Sequence, residues 1–96
     1  MSESVVVCLE GEIDLAVRGD VEKILDDGVT RALAAGTPLL VDLSQVTFLD
    51  STGLACVVQS VSALRTGGCA LRLVEVPAPV LRTLEVVGLD HLVRTA

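Results

Sequence analysis

Val46-Thr47-Phe48-Leu49-Asp50-Ser51-Thr52-Gly53-Leu54 decides how this 96-residue chain is read. It follows Leu39-Leu40-Val41-Asp42-Leu43, an apolar run that reads as a buried strand. It leads into Leu54-Ala55-Cys56-Val57-Val58-Gln59-Ser60-Val61, where Leu54, Val57, Val58 and Val61 recur at the spacing of one buried helix face. The polar turn Asp50-Ser51-Thr52-Gly53 thus sits where a strand hands over to a helix. Asp, Ser and Thr cap helix N-termini, and a glycine lets another backbone or a partner come close. A helix start also presents unpaired N–H groups and a positive dipole end, which suit a phosphate. The residues alone leave Ser51 two roles, a helix-capping serine or an acceptor for reversible phosphorylation. Bulk at Gly53 is expected to disturb contact with a partner more than folding.

Outward from this turn, strands and helices alternate. Ser4 to Glu10 reads as a strand ending at Gly11. Asp20 to Ala34 reads as a helix capped by Asp20, although Leu15-Ala16-Val17 could begin it earlier. Its apolar face is Val21, Ile24, Leu25 and Leu33, with Ala32 beside them, and Gly36 and Pro38 stop it. The second helix runs from Ser51 or Thr52 to about Arg65, closed by Gly67-Gly68. Ala70 to Val74 is a further strand. Pro77 and Pro79 open a short helix with Val80, Leu81 and Leu84 that ends at Gly88, and Leu92 to Thr95 reads as a last edge strand. Such alternation implies crossover connections and a mostly parallel sheet.

Ninety-six residues make one domain, residues 1–96, without room for two cores. Half the residues are apolar, yet Phe48 is the only aromatic one, so the core is built of small aliphatic side chains. That scarcity excludes aromatic platforms for single-stranded nucleic acid. A net charge of −6 argues equally against nucleic acid and anionic membrane as partners. The Met1-Ser2-Glu3-Ser4 start lacks the basic region of a signal peptide, and no apolar run reaches the roughly 20 residues of a membrane helix. A cytoplasmic protein is expected. Cys8, Cys56 and Cys69 are expected to be buried structural thiols in a reducing compartment. With His91 as the only histidine and no Cys-x-x-Cys pair, no metal site is expected.

Enzyme chemistry finds little support. A Ser51–His91–Asp triad is formally available but lacks any local signature. Thr66-Gly67-Gly68 reads as a helix stop and not as a phosphate-binding loop, so no bound cofactor is expected.

Phe48-Leu49-Asp50-Ser51-Thr52-Gly53-Leu54 resembles the phosphorylation loop of STAS domains, in particular of the bacterial anti-sigma factor antagonists. Leu9-Glu10-Gly11-Glu12-Ile13-Asp14 resembles that family's early strand, and Val41-Asp42-Leu43-Ser44 the strand before the loop. Thr66-Gly67-Gly68 with Leu71-Arg72-Leu73, and Val80-Leu81-Arg82 with Gly88-Leu89, match its last strand and helix. The four stretches occur in order from about Val5 to Val93. The resemblance implies an α/β fold, a single small STAS-type domain with a mixed β-sheet and helices packed mainly on one side. Family members usually carry one more strand before the one at Val5–Leu9. This sequence starts too late to supply it in full: either the sheet edge is barer, inviting self-association, or the sequence is short at its start.

The resemblance further implies an anti-sigma factor antagonist, not an enzyme. It would bind a serine-kinase anti-sigma factor, free a sigma factor for transcription, and be released by phosphorylation at Ser51. The partner kinase would bring ATP and Mg²⁺, and a phosphatase would reset the switch. Ser51 matches the phosphorylated residue and Thr52 the second hydroxyl, generally not the acceptor. Asp50, Thr52, Gly53 and Leu54 would meet the partner. Glu12 and Asp14, which as residues read simply as solvent-facing turn acids, would lie near the same surface. Leu15 departs from the polar residue often found there. A monomer or weak dimer is expected. The alternative is a STAS scaffold subunit, never phosphorylated, in a signalling assembly or a lipid-transport complex.

Overall fold

The computed structural model describes residues 4–93. Strand β1 spans Val5–Ile13, helix α1 Arg18–Ala35, β2 Leu39–Leu49, α2 Ser51–Thr66, β3 Leu71–Val74 and α3 Ala78–Val86, with 3-10 turns at Leu15–Val17 and Asp90–Leu92. The sheet order is β1-β2-β3 and both pairings are parallel, as crossover helices require. The expected mixed sheet is therefore a parallel one among the described residues. Of the expected edge strand at Leu92–Thr95, the described part makes one parallel bridge, Leu73 to Val93, and the rest lies outside the described residues.

One sheet face forms the core. Val7, Leu9 and Ile13 of β1, Leu39, Val41 and Leu43 of β2 and Leu71 and Leu73 of β3 are all buried. Helix α1 packs over β1 and against α2, and α3 lies against β2. The opposite face, with Val6, Cys8 and Arg72, is exposed, so the helices sit mainly on one side. Contact between α1 and the sheet is close at Gly28. A Cβ there would stand 2.9 Å from both Leu39 Cδ1 and Val7 Cγ1.

Both long strands run past their expected ends. β1 alternates strictly through Leu9 and buries Ile13 at its end, but β2 turns inward at Leu43, Val46 and Leu49, a spacing of three. The register explains this. Cys8 pairs with Asp42, Glu10 with Gln45 and Glu12 with Phe48, so β2 absorbs an extra residue twice. Each bulge returns the next apolar residue to the core and carries β2 to the edge of the Asp50 turn. At the first bulge the Asp42 carboxylate accepts from Ser44 N at 2.8 Å. This backbone hydrogen bond, with a second from the Ser44 side chain, holds the Asp42 carboxyl below the usual range. A depressed folded-state pKa adds stability above the unfolded carboxylate pKa and loses it as pH falls through the folded value. Asp42→Ala is therefore expected to cost about 0.5 kcal/mol at neutral pH. The gap between variant and wild type should close in denaturant titrations as pH falls through the depressed folded-state pKa of Asp42.

Helix α1 begins at Arg18, two residues before the expected Asp20 cap, because the 3-10 turn feeds into it. Its buried face is Val21, Leu25, Gly28, Val29 and Ala32. Ile24 and Leu33, expected inside, are more than a third exposed. On α2 the inward face is Gly53, Leu54, Cys56, Val57, Ser60 and Leu64, and Val58 is 44% exposed. The stripe is rotated toward small residues, which lets α1 and α2 approach. Ser60 stays inside because its Oγ donates to Cys56 O at 3.1 Å. The cysteines are free, and only Cys56 is buried. Cys69 is half-buried and Cys8 exposed, contrary to the sequence expectation. Burial, then Glu22, push the Cys56 thiol upward, keeping it protonated and unreactive.

Candidate functional site

Parallel strands end together, and at the end of β1 and β2 Ile13 lies beside Leu49 in register. Each strand is followed by an aspartate that caps the next element. Asp14 Oδ1 accepts from Ala16 N at 3.0 Å and starts the 3-10 turn. Asp50 Oδ1 accepts from Thr52 N at 2.9 Å and Gly53 N at 3.3 Å and starts α2. Asp50 N in turn donates to Ile13 O at 3.2 Å, tying the two ends into one corner.

Ser51 is the first residue of α2 and is exposed, so its hydroxyl projects from the corner. Capping belongs to Asp50, which satisfies two helix-start N–H groups, while Leu54 N bonds Asp50 O at 3.0 Å. The helix end therefore offers an incoming phosphate fewer free N–H groups than the sequence suggests. Thr52 and Asp50 are half-buried and Glu12 is exposed.

Gly53 and Leu54 lie inside, not on the loop surface. A Cβ on Gly53 would stand 2.5 Å from Leu49 Cδ1 and 2.6 Å from Ile13 Cγ2. Gly53 thus lets the start of α2 rest directly on the ends of both strands. A role in packing replaces the surface position expected for it.

Two residues outside the sequence-based set join the corner. Leu15, directly after Asp14, is 69% exposed, and Phe48, paired in register with Glu12, is 52% exposed. Large apolar side chains left in water are the makings of a protein-docking surface. The one available signal is that Phe48 precedes the inward Leu49. A groove lined by Leu9, Ile13, Val17, Val21 and Ile24, with Glu10 and Asp20, opens between β1 and α1 nearby.

Ser51 and His91 do not meet. His91 shares a cleft with Arg65 in the last turn of α2, about 20 Å from the first turn at 1.5 Å per residue. Its Nδ1 faces Gly88 O at 3.0 Å. Among the described residues no three His, Cys, Asp or Glu side chains gather as metal ligands, and no helix is long and apolar enough to cross a membrane.

No curated protein is significantly similar in sequence. The Mlab-type STAS domain model matches residues 1–94. A Thermotoga maritima protein, TM1081, assigned provisionally to the anti-sigma factor antagonists, superposes with a TM-score of 0.76 at 23% identity, covering 98% of this chain and 80% of that one. The Bacillus anti-sigma factor antagonist SpoIIAA gives 0.72 unphosphorylated, at 22% identity over 100% of this chain and 82% of its own. Its phosphorylated form gives 0.71 at 20% identity, over 100% and 85%. A sulfate transporter family protein of Wolinella succinogenes shares the fold at 0.67 and 16% identity, over 95% and 73%. These likenesses establish the architecture, and the family match spans almost every residue: the chain belongs to the STAS domain family.

Proposed function

We propose that this protein is an anti-sigma factor antagonist that binds a serine-kinase anti-sigma factor through the Ser51 corner and is released when Ser51 is phosphorylated. The observation that carries this reading is that Ser51 is exposed at the first position of α2, with Phe48 near the end of β2 and Leu15 in the turn after β1 exposed as well. Such a corner is both a docking surface and a substrate. The partner kinase brings ATP, Mg²⁺ and the base. Ser51 Oγ attacks the γ-phosphorus, the bond to the β-phosphate oxygen breaks, ADP leaves and the hydroxyl proton passes to the kinase base. Glu12, Asp14, Asp50 and Thr52 frame the approach, while Gly53 and Leu54 support it from within.

Charge performs the release. A phosphoserine carries about −1.5 to −2 at neutral pH. It would stand next to the Asp50 carboxylate, which already holds the Thr52 and Gly53 N–H groups. The phosphate therefore stays solvated on the free protein but must lose water, next to another anion, inside an interface. A phosphatase restores the hydroxyl. Such a protein acts in the cytoplasm, without nucleic acid or membrane as direct partner. Incubation with the partner kinase and Mg-ATP should add one phosphate, and Ser51→Ala should abolish the labelling. Label on Thr52 or Ser44, or self-labelling without the kinase, would contradict the assignment.

A second reading has its own support in the transporter-family neighbour and the Mlab-type family model. There the chain is an unmodified scaffold subunit and the corner a permanent interface. Stable co-purification with a transport complex, with Ser51 never phosphorylated, would favour it.

A further inference from the structure

At the far end of α2 the surface changes sign. Arg65 of the last α2 turn, Arg72 of β3 and His91 of the final 3-10 turn line one cleft, with no carboxylate among the described residues that line it. The chain has thirteen acids against seven Lys and Arg, so a cleft with three basic groups and no acid is out of keeping with the composition. Among the described residues, ion pairs occur only within α1, Arg18 with Glu22 and Arg31 with Asp27. Neither Arg65 nor Arg72 pairs with a carboxylate among the described residues.

Ordinary structural duties do not account for the arginines. The carbonyls of Leu64 and Arg65 at the end of α2 already accept from Gly67, Gly68 and Cys69 N. Arg65 is therefore not needed as a C-terminal cap. Arg72 spends one donor on Leu71 O at 3.1 Å, and a guanidinium has five. Planar guanidinium forks match tetrahedral oxyanions, and two of them with an imidazole match the charge of a dianion better than that of a carboxylate. An adjoining groove shares Val61, Arg65 and His91 and adds Val58 and Leu89, which with Val61 make an apolar wall beside the cationic one.

We propose that this cleft binds a small organic phosphate monoester, its phosphate on Arg65, Arg72 and His91 and its apolar part along Val58, Val61 and Leu89. The site is independent of the Ser51 reading, because it lies at the opposite end of α2.

Amide NMR of the ¹⁵N-labelled protein titrated with phenyl phosphate, inorganic phosphate and benzoate tests it. Phenyl phosphate should give saturable shifts at residues 65–72 and at His91, with residues 50–53 unmoved. Inorganic phosphate should bind severalfold more weakly for want of the apolar wall, and benzoate at least tenfold more weakly for want of charge. Arg72→Gln and Arg65→Gln, both exposed positions, should each weaken phenyl phosphate about tenfold without changing the melting temperature. Added salt should weaken it further. Absence of saturable shifts up to about 20 mM ligand, benzoate binding as well as phenyl phosphate, or undiminished binding by both variants would overturn the proposal. So would shifts centred on the start of α2.

Discussion

Gly53→Gln should lower the melting temperature by about 10–20 °C, corresponding to about 2–3 kcal/mol of overpacking in a domain of this size. Its Cβ alone would stand 2.5 Å from Leu49 Cδ1 and 2.6 Å from Ile13 Cγ2. Both side chains are buried at the ends of paired strands, and Ile13 is β-branched and has few alternative rotamers. Relief therefore requires the start of α2 to lift from the sheet. That movement breaks the Asp50 bonds to Thr52 N and Gly53 N and displaces Ser51. Gly53→Ala should show the same effect at smaller amplitude. A thermal melt within about 2 °C of wild type would show that the α2 start yields freely and would return Gly53 to a contact role.

Ser51→Asp should separate folding from binding. A carboxylate at a helix N-terminus is worth a few tenths to about 1 kcal/mol. Asp50 already occupies that end, so the gain is at the low limit and the melting temperature should stay within about 2 °C of wild type. Binding to the kinase partner should fall about tenfold, or about 1.4 kcal/mol. The introduced carboxylate would stand beside that of Asp50 in a surface that must be desolvated. Calorimetric titration reads the affinity and the melt reads the fold. Loss of both would mean that the substitution damages the corner itself.

The order of elements is legible in this sequence because its apolar runs and its Gly and Pro stops fall at clear intervals. The C-terminal half of β2 is not. Two bulges change the inward spacing from two to three, so Val46 and Leu49 look like parts of a loop. The faces of α1 and α2 are obscured for a related reason. Pattern alone points large aliphatic residues inward, but close helix packing favours Gly28, Ala32, Cys56 and Ser60, and leaves Ile24, Leu33 and Val58 partly in water. At the site, Asp50 and Ser51 stand where a strand-to-helix turn puts them. Phe48 and Leu15 escape a reading of the sequence because an apolar side chain is assigned to the core by default, whereas the bulged register turns Phe48 outward and the 3-10 turn leaves Leu15 exposed. Gly53 reads as an opening for a partner, whereas the close approach it permits is to Leu49 and Ile13.

The claim that Ser51 is a charge-operated switch is tested most directly by titrating the unphosphorylated and the stoichiometrically Ser51-phosphorylated protein against the nucleotide-bound anti-sigma kinase. Melting curves recorded alongside should coincide within about 2 °C, since the phosphate projects from an exposed position of an intact helix. The account predicts that the unphosphorylated protein binds and that phosphorylation weakens binding at least a hundredfold, about 2.8 kcal/mol. The Ser51→Asp variant should fall between them, because it carries about half the charge. Equal affinity for the two forms, with folding equally intact, would contradict it.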